Sequence, residues 1–280
     1  MTDTEIPAES LPKKAKKPVS ETRETIVFLL KLSIVVLIFR SFIFSPFSIP
    51  SESMMPRLLI GDYLFISKWN YGYSKHSLPF SIPLIPGRIF ARNPERGDVV
   101  VFKAPPGNDQ DYIKRVIGLP GDKIQMVHGQ VILNGKAVPK QRVADFTLPL
   151  TPNYDARACP SEFQDVDAKG GAICRYPRFR ETLPNGRSYD VLDRGEMPDR
   201  DETGVYDVPA GHVFLMGDNR DNSGDSRFPA EENGPIGMVP LENLEGKAVV
   251  GFWSTDGSAS WFLPWTWFTA ARWSRIGQGF

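Results

Sequence analysis

The chain has 280 residues, with 33 basic and 33 acidic side chains, so its formal net charge is zero. A neutral chain has no overall electrostatic attraction to a polyanion, which argues against nucleic-acid binding. Two cysteines and three scattered histidines cannot by themselves build a four-ligand zinc centre. The acidic run 217–227 also fails as a calcium loop, because Ala230 stands where a bidentate glutamate is required. The sequence therefore predicts no metal site.

The first predicted element is a membrane-spanning helix. Residues 25–47 are largely apolar, and about twenty such residues are enough to cross a bilayer. Lys31 and Arg40 lie toward the two ends, where their aliphatic stems can reach the headgroup layers. A buried core helix or a cleaved targeting peptide would look similar, but no small-x-small cleavage site follows and Pro46 closes the segment. We therefore expect an uncleaved transmembrane anchor over residues 25–45.

The distribution of basic residues predicts the orientation of this anchor. The tail of residues 1–24 is rich in lysine, whereas after Arg40 the next basic residues are Arg57 and Lys68. By the positive-inside rule, the tail stays in the cytoplasm and the rest of the chain is translocated. Outside the cytoplasm Cys159 and Cys174 can oxidise to a disulfide, with two free thiols as the alternative.

The translocated part has the pattern of a mainly β, antiparallel fold. Short β-branched or apolar runs predict strands at 99–102, 112–117, 131–133, 212–216 and 247–252. Asn134-Gly135 predicts a hairpin with a type I′ turn. We expect residues 46–124 and 209–260 to form the main β core, and residues 125–208 to form a smaller, inserted β-rich subdomain. Residues 261–280 hold four of the six tryptophans, which suits either a membrane-surface segment or packing against the core.

Two short segments carry side chains suited to nucleophilic catalysis. Residues 50–56 read Pro-Ser-Glu-Ser-Met-Met-Pro and place Ser53 close to the end of the predicted anchor. On a predicted strand, Lys114 shares one face with Tyr112 and Val116. Taken alone, a serine in a turn and a lysine on a strand are more often ordinary structural residues.

Four blocks in chain order resemble the bacterial type I signal peptidases. They are residues 50–56; residues 61–68, beginning Gly-Asp-Tyr; residues 96–100 with 111–122; and residues 217–227, beginning Gly-Asp-Asn-Arg. The blocks span most of residues 47–227, and they follow an anchor of the required orientation. The resemblance implies a membrane-anchored serine endopeptidase that removes signal peptides from exported preproteins, cuts after small residues and needs no cofactor.

The same resemblance implies a cellular setting and a set of partners. The enzyme is expected in the bacterial cytoplasmic (inner) membrane as a monomer with a single span. Its N-terminus lies in the cytoplasm and its catalytic domain on the outer, periplasmic side. Its partners are the signal peptides of preproteins and the lipid bilayer, without nucleic acid.

Catalytic roles follow from the resemblance residue by residue. Ser53 is the expected nucleophile and Lys114 its general base, forming a Ser/Lys dyad. A free lysine has a pKa of about 10.4, so Lys114 can accept a proton only if burial among apolar groups lowers that pKa. The hydroxyl of Ser51 and the backbone N–H of Ser53 match the oxyanion hole.

Further residues support this expected dyad. Ser223 is expected to orient the lysine, and Asp225 with Arg227 to form a supporting ion pair. The substrate pockets are expected to be walled by Phe47, Ile49, Met54, Leu58, Tyr112 and Ile113.

Two positions depart from the family pattern. Glu52 stands where glycine is frequent, and Arg57 stands where threonine usually follows the proline. A carboxylate beside Ser53 would stabilise the charged form of the lysine, so we expect Glu52 to point outward. Two alternatives remain: a self-cleaving Ser/Lys regulator, whose soluble DNA-binding head this anchored chain lacks, and a catalytically silent β module that scaffolds other exported proteins.

Overall fold

The computed structural model describes residues 21–260 and 262–280. It begins with helix α1 (Glu21–Phe42), the one helix in this described part that is long and apolar enough to cross a membrane. Most of the predicted cytoplasmic tail lies outside the described residues. The helix ends before residue 45, the predicted limit of the anchor, because Pro46 already belongs to a strand and pairs with Phe65. That strand is at the edge of its sheet, where proline is tolerated.

Strands are the main regular secondary structure of the described chain after α1. In chain order they are β1 (Phe44–Ser48), β2 (Asp62–Ser67), β3 (Tyr73–Ser74), β4 (Arg88–Ile89), β5 (Val99–Lys103), β6 (Asp111–Gly118), β7 (Lys123–Val127), β8 (Gln130–Leu133), β9 (Lys136–Ala137), β10 (Lys140–Pro149), β11 (Gln164–Val166), β12 (Ala172–Thr182), β13 (Ser188–Leu192), β14 (Tyr206–Asp207), β15 (His212–Met216), β16 (Val239–Pro240) and β17 (Leu244–Ser254). The short helix α2 (Pro198–Asp201) lies between β13 and β14, and the short helix α3 (Trp265–Thr269) follows β17. The prediction of a mainly β fold behind an N-terminal apolar helix is confirmed.

The largest sheet is antiparallel and has the strand order β1-β2-β17-β5-β6-β15-β16. Its middle strand β5 reads Val-Val-Val-Phe because both of its faces are covered. Val99 and Val101 pack in one buried cluster, and Val100 and Phe102 pack in another. The same strand pairs with β6, which carries Lys114 opposite Val100. The core therefore lies on both sides of the strands that hold the predicted base.

The predicted inserted region builds two smaller sheets. One has the order β10-β12-β11 with β13 on β12, and the other has the order β14-β7-β8-β9. The hairpin between β8 and β9 is confirmed, since Asn134 and Gly135 both have the positive φ that a type I′ turn requires. Residues 39–280 form one compact unit. The inserted strands accordingly pack directly on the main sheet.

Two further features complete the fold. Cys159 and Cys174 are joined by a disulfide with a Cα–Cα distance of 5.9 Å. Beyond α3, the C-terminal segment returns to β17: Gly279 pairs with Val250, and Ala271 pairs with Thr255, the residue that follows the strand. Five aromatic side chains of residues 262–280 are exposed, namely Phe262, Trp265, Trp267, Phe268 and Trp273. Its contact with lipid remains a prediction.

Candidate active site

Ser53 lies in a turn between β1 and β2 and is 8% exposed. The turn is anchored on two sides, because the buried side chain of Met54 packs in the core of the main sheet and that of Met55 in the core of the inserted region. Two hydrogen bonds from Asn219 fix its backbone. The Asn219 N–H donates to the Ser53 carbonyl (3.0 Å), and its side-chain amide donates to the Glu52 carbonyl (3.2 Å).

The Lys114 amine reaches the Ser53 hydroxyl from β6. Its Nζ donates a hydrogen bond to Ser53 Oγ at 2.6 Å, and the residue is 4% exposed. Burial is the main influence and lowers the pKa of Lys114 from 10.5 to about 8, although Asp225 and Asp218 act in the opposite direction. At pH 8 about half of such amines are neutral and able to accept a proton.

Arginines hold both of the carboxylates that oppose this shift. Asp225 pairs with Arg227 at 2.9 Å, and both side chains are fully buried. Burial raises the pKa of Asp225, but the neighbouring Arg227 lowers it more, so this pKa lies below its usual value. Asp218 receives two hydrogen bonds from the guanidinium of Arg115, at 2.7 and 2.6 Å. Because each carboxylate already has a cationic partner, it stabilises a positive charge on the lysine less than a free carboxylate would.

The remaining predicted polar residues also lie near the dyad. Ser51 Oγ is 3.4 Å from Ser53 Oγ. Ser223 Oγ is buried and has no hydrogen-bond partner in the described part of the chain, so the expected contact with Lys114 is not made in this conformation. Gly217 separates the two serines: a Cβ there would lie 2.4 Å from Ser223 Oγ and 2.4 Å from the Ser53 carbonyl oxygen. Sequence reasoning gave Gly217 no role, although it opens the fourth block.

A cleft of about 590 Å³ opens onto this dyad. Ser51, Ser53 and Lys114 line it, and three of the predicted wall residues, Phe47, Tyr112 and Ile113, do so as well. The other three, Ile49, Met54 and Leu58, are instead at most 2% exposed and belong to a buried cluster of the main sheet. The prediction that these three residues wall the substrate pockets therefore needs correction, because their side chains fill the core beneath the nucleophile turn.

Glu52 does not point outward as expected. Its side chain is 17% exposed and accepts a hydrogen bond from Asn222 at 2.7 Å, with Arg194 at 4.0 Å. Burial raises the pKa of Glu52, while Arg194 and Asn222 lower it. The carboxylate is therefore directed to these two side chains and makes no contact with the lysine. The other departure, Arg57, stacks on the Phe280 ring at 5.2 Å.

The sequence of the chain is similar to those of known proteins. The family model described as signal peptidase, peptidase S26, matches residues 22–253. Signal peptidase I of Rickettsia typhi is 38% identical over 250 residues, covering 86% of this chain and 83% of the relative. Signal peptidase I of Rickettsia akari is 40% identical over 229 residues, covering 79% of this chain and 76% of the relative.

A solved structure is also similar in part. The crystal structure of a signal peptidase I from Enterococcus faecalis matches 56% of this chain and 97% of its own length, with 22% identity and a TM-score of 0.28. The family match extends over most of the described residues, and the two relatives align over more than three quarters of the chain. On these matches, the chain belongs to the bacterial type I signal peptidase family and is a serine peptidase.

Proposed function

We propose that the chain is a membrane-anchored endopeptidase that removes signal peptides from exported preproteins with Ser53 as nucleophile and Lys114 as general base. Removal of signal peptides by a serine peptidase is the activity that family membership supports. The observation that carries the assignment of the dyad is the 2.6 Å contact between Lys114 Nζ and Ser53 Oγ. No other contact brings a potential base this close to the nucleophile among the hydrogen bonds of the described residues.

The proposed reaction uses the neutral form of Lys114. Its amine accepts the Ser53 proton as Oγ attacks the scissile carbonyl carbon, giving a tetrahedral intermediate. We propose that the Ser51 hydroxyl and the Ser53 N–H donate to the developing oxyanion. The protonated lysine then donates to the leaving amine, which departs as the new N-terminus. A water molecule, activated by the same lysine, releases the signal peptide from the acyl-enzyme.

Helix α1 is proposed to anchor this site to the bilayer. It ends at Phe42, and β1 begins two residues later and leads directly to the nucleophile turn. At no more than about 3.5 Å per residue, the short connection keeps Ser53 near the membrane surface. Signal peptides have an apolar segment that lies in the same bilayer, so the scissile bond and the dyad meet without a search through solution.

We propose that the cleft binds an extended peptide with small side chains before the cut. Its apolar walls are Phe47, Tyr112 and Ile113, close to the dyad. We propose that the substrate lies extended in this cleft beside the segments that carry Ser53 and Lys114. In the proposed topology the N-terminus is cytoplasmic and the cleft faces the periplasmic side.

Cleavage of a purified preprotein by the full chain in detergent or nanodiscs tests the proposal, with N-terminal sequencing of the product. Ser53→Ala and Lys114→Ala are expected to abolish cleavage while leaving the circular dichroism spectrum unchanged. Ser258→Ala and Lys136→Ala are matched controls at exposed positions and should cleave at the wild-type rate. Wild-type cleavage by either dyad variant would overturn the assignment. Activity should also persist in EDTA, because no step uses a metal ion.

A further inference from the structure

We propose that a second cleft, here called the arginine cleft, binds an acidic segment of the preprotein that follows the scissile bond. The arginine cleft has a volume of about 660 Å³ and is lined by residues of the nucleophile turn, β12, β13 and the C-terminal segment. Its lining holds seven cationic side chains, from Arg57 in the turn to Arg275 near the C-terminus, against one acidic residue, Asp190. The proposal rests on the proposed function, because the bound segment belongs to the same substrate.

Shared carboxylates leave positive charge uncompensated around the arginine cleft. Asp190 is shared by two arginines of β12, at 2.8 and 3.4 Å. Asp62 is likewise shared by Arg272 and Arg275, at 3.3 and 2.6 Å. Each of these groups holds two positive charges against one negative charge. A cleft lined by one sign of charge concentrates ligands of the opposite sign, so the arginine cleft favours an anionic ligand.

Arg57 adds a charge to the arginine cleft that is paired with no carboxylate among the described residues. Its guanidinium donates to the carbonyl of Gly279 and stacks on the Phe280 ring. Burial lowers the pKa of Arg57, and the neighbouring charges of Arg115 and Arg275 lower it as well, although two carboxylates act in the opposite direction. The surroundings therefore disfavour the charged guanidinium, and an anion bound between these arginines would offset that effect.

The nucleophile turn borders both the cleft of the dyad and the arginine cleft. Ser51 and Ser53 line the former, whereas Pro56 and Arg57 line the latter. Because Arg57 follows Ser53 by four residues, their Cα atoms are at most about 14 Å apart. An extended peptide covers this distance with about four residues. A preprotein whose scissile bond lies at Ser53 therefore brings its residues from about the fourth after the cut within reach of the arginine cleft.

The requirements of export give this part of the substrate a matching charge. Basic residues next to an apolar segment favour the cytoplasmic side, so a segment that must be translocated is poor in lysine and arginine there. The residues just after the cut are therefore mostly neutral or acidic, and few of them are repelled by the cleft. Aspartate and glutamate gain most from it, because a guanidinium binds a carboxylate through two parallel hydrogen bonds. Together with the shared turn, this favours the preprotein as the occupant over a free inorganic anion or an anionic headgroup.

Cleavage kinetics of the full chain in detergent micelles test the site. Two preproteins are compared that differ only at about the fourth to eighth residues after the cut, which carry either acidic side chains or the corresponding amides. Wild type should have a KM about tenfold lower for the acidic preprotein at low salt, and in Arg57→Gln/Arg180→Gln the ratio of the two KM values should fall to about one.

Arg157→Gln/Arg175→Gln is the matched control for this comparison. Arg157 and Arg175 also pair with carboxylates, Asp155 and Asp165, at 2.6 Å, but neither lines the arginine cleft. This control should keep the wild-type ratio of KM values. Equal KM values in wild type, or an undiminished ratio in Arg57→Gln/Arg180→Gln, would overturn the proposal.

Binding without catalysis separates this proposal from the proposed function. Fluorescence anisotropy measures the Kd of two labelled peptides, the acidic segment and its amide counterpart, for the full chain carrying Ser53→Ala. The acidic peptide should bind more tightly, and its advantage should shrink as the salt concentration is raised from about 50 to 300 mM, because salt screens exposed charges. If Arg57→Gln/Arg180→Gln loses its fold, this salt dependence decides.

Competition identifies the occupant of the arginine cleft. Inorganic phosphate and micelles that contain phosphatidylglycerol are added separately to the complex with the acidic peptide. We expect the peptide to remain bound at phosphate or lipid concentrations equal to its own. Displacement of the peptide by either competitor at that concentration, or equal Kd values for the two peptides, would overturn the proposal and leave the dyad standing. Failure of wild type to cleave either preprotein, with selective binding of the acidic peptide retained, would instead refute the proposed function.

Discussion

Replacing Lys114 by methionine is expected to abolish cleavage and to stabilise the folded protein at neutral pH. Burial is the main reason that the pKa of Lys114 falls from 10.5 to about 8. At pH 7 the folded chain therefore holds a charged amine in surroundings that disfavour the charge. The difference between these two pKa values means that the charged lysine destabilises the folded protein by about 3 kcal/mol. Methionine fills a similar volume without a charge, so the substitution removes this destabilisation. Losing the hydrogen bond to Ser53 costs about 1 kcal/mol, so the free energy of unfolding should rise by about 2 kcal/mol in total.

The gain should depend on pH in a defined direction. Between about pH 8 and 10.5 the unfolded lysine keeps its proton while the folded one loses it, so the wild-type protein becomes more stable as the pH rises through this window. The advantage of Lys114→Met is therefore largest below pH 8, falls through this window, and becomes a deficit of about 1 kcal/mol above pH 10.5, where only the lost hydrogen bond counts. The assay is urea unfolding of the full chain in detergent micelles at pH 7 and pH 9.

Lys103→Met provides the matched control for this experiment. Lys103 lies on the adjacent strand and its Nζ is 2.6 Å from a carboxylate oxygen of Asp111. Burial lowers the pKa of Lys103, but the hydrogen bond to Asp111 raises it more, so this pKa lies above its usual value. The folded protein thus favours the charged form of Lys103, and removing this lysine should lower the free energy of unfolding. If Lys114→Met were also less stable than wild type at pH 7, burial would not disfavour the charged lysine and the argument for a neutral base would fail.

Three further outcomes are expected. The value of kcat/KM should rise with pH and level off above an apparent pKa of about 8, because the neutral base accumulates. Glu52→Gln should leave this pH–rate profile unchanged. A strong downward shift of the apparent pKa in that variant would show that the Glu52 carboxylate acts on the lysine. Gly217→Ala should lower kcat at least tenfold, because the new Cβ would lie 2.4 Å from both Ser223 Oγ and the Ser53 carbonyl. Gly204→Ala, which meets nothing within 4 Å, is the control, and equal rates would refute the steric argument. Replacing Cys159 and Cys174 by serine should lower the free energy of unfolding by about 3 kcal/mol, since the bridge closes a loop with a separation of 15 residues; unchanged denaturant unfolding would contradict this.

Local features were readable from the amino-acid sequence. The β-branched run of β5 and the hairpin at Asn134-Gly135 depend on periodicity and turn chemistry between near neighbours, and both occur where predicted. Ser53 and Lys114 were identified through short blocks that resemble a known family, which specify residue types and their order. The apolar character of α1 was also evident, although its end was not, because edge-strand pairing decides where the helix stops.

Tertiary structure decided the distances, the surroundings of each charge and which apolar residues reach the cleft. Ser53 and Lys114 are 61 residues apart in the chain, and they meet because the nucleophile turn and β6 pack in one core. Neither the burial that lowers the lysine pKa nor the partners of Glu52 can be read from neighbouring residues. Met54 and Leu58 likewise looked suitable as pocket walls, but packing places them in the core. Periodicity reports which local structure a segment favours, whereas desolvation and contact depend on what distant segments bring to the same place.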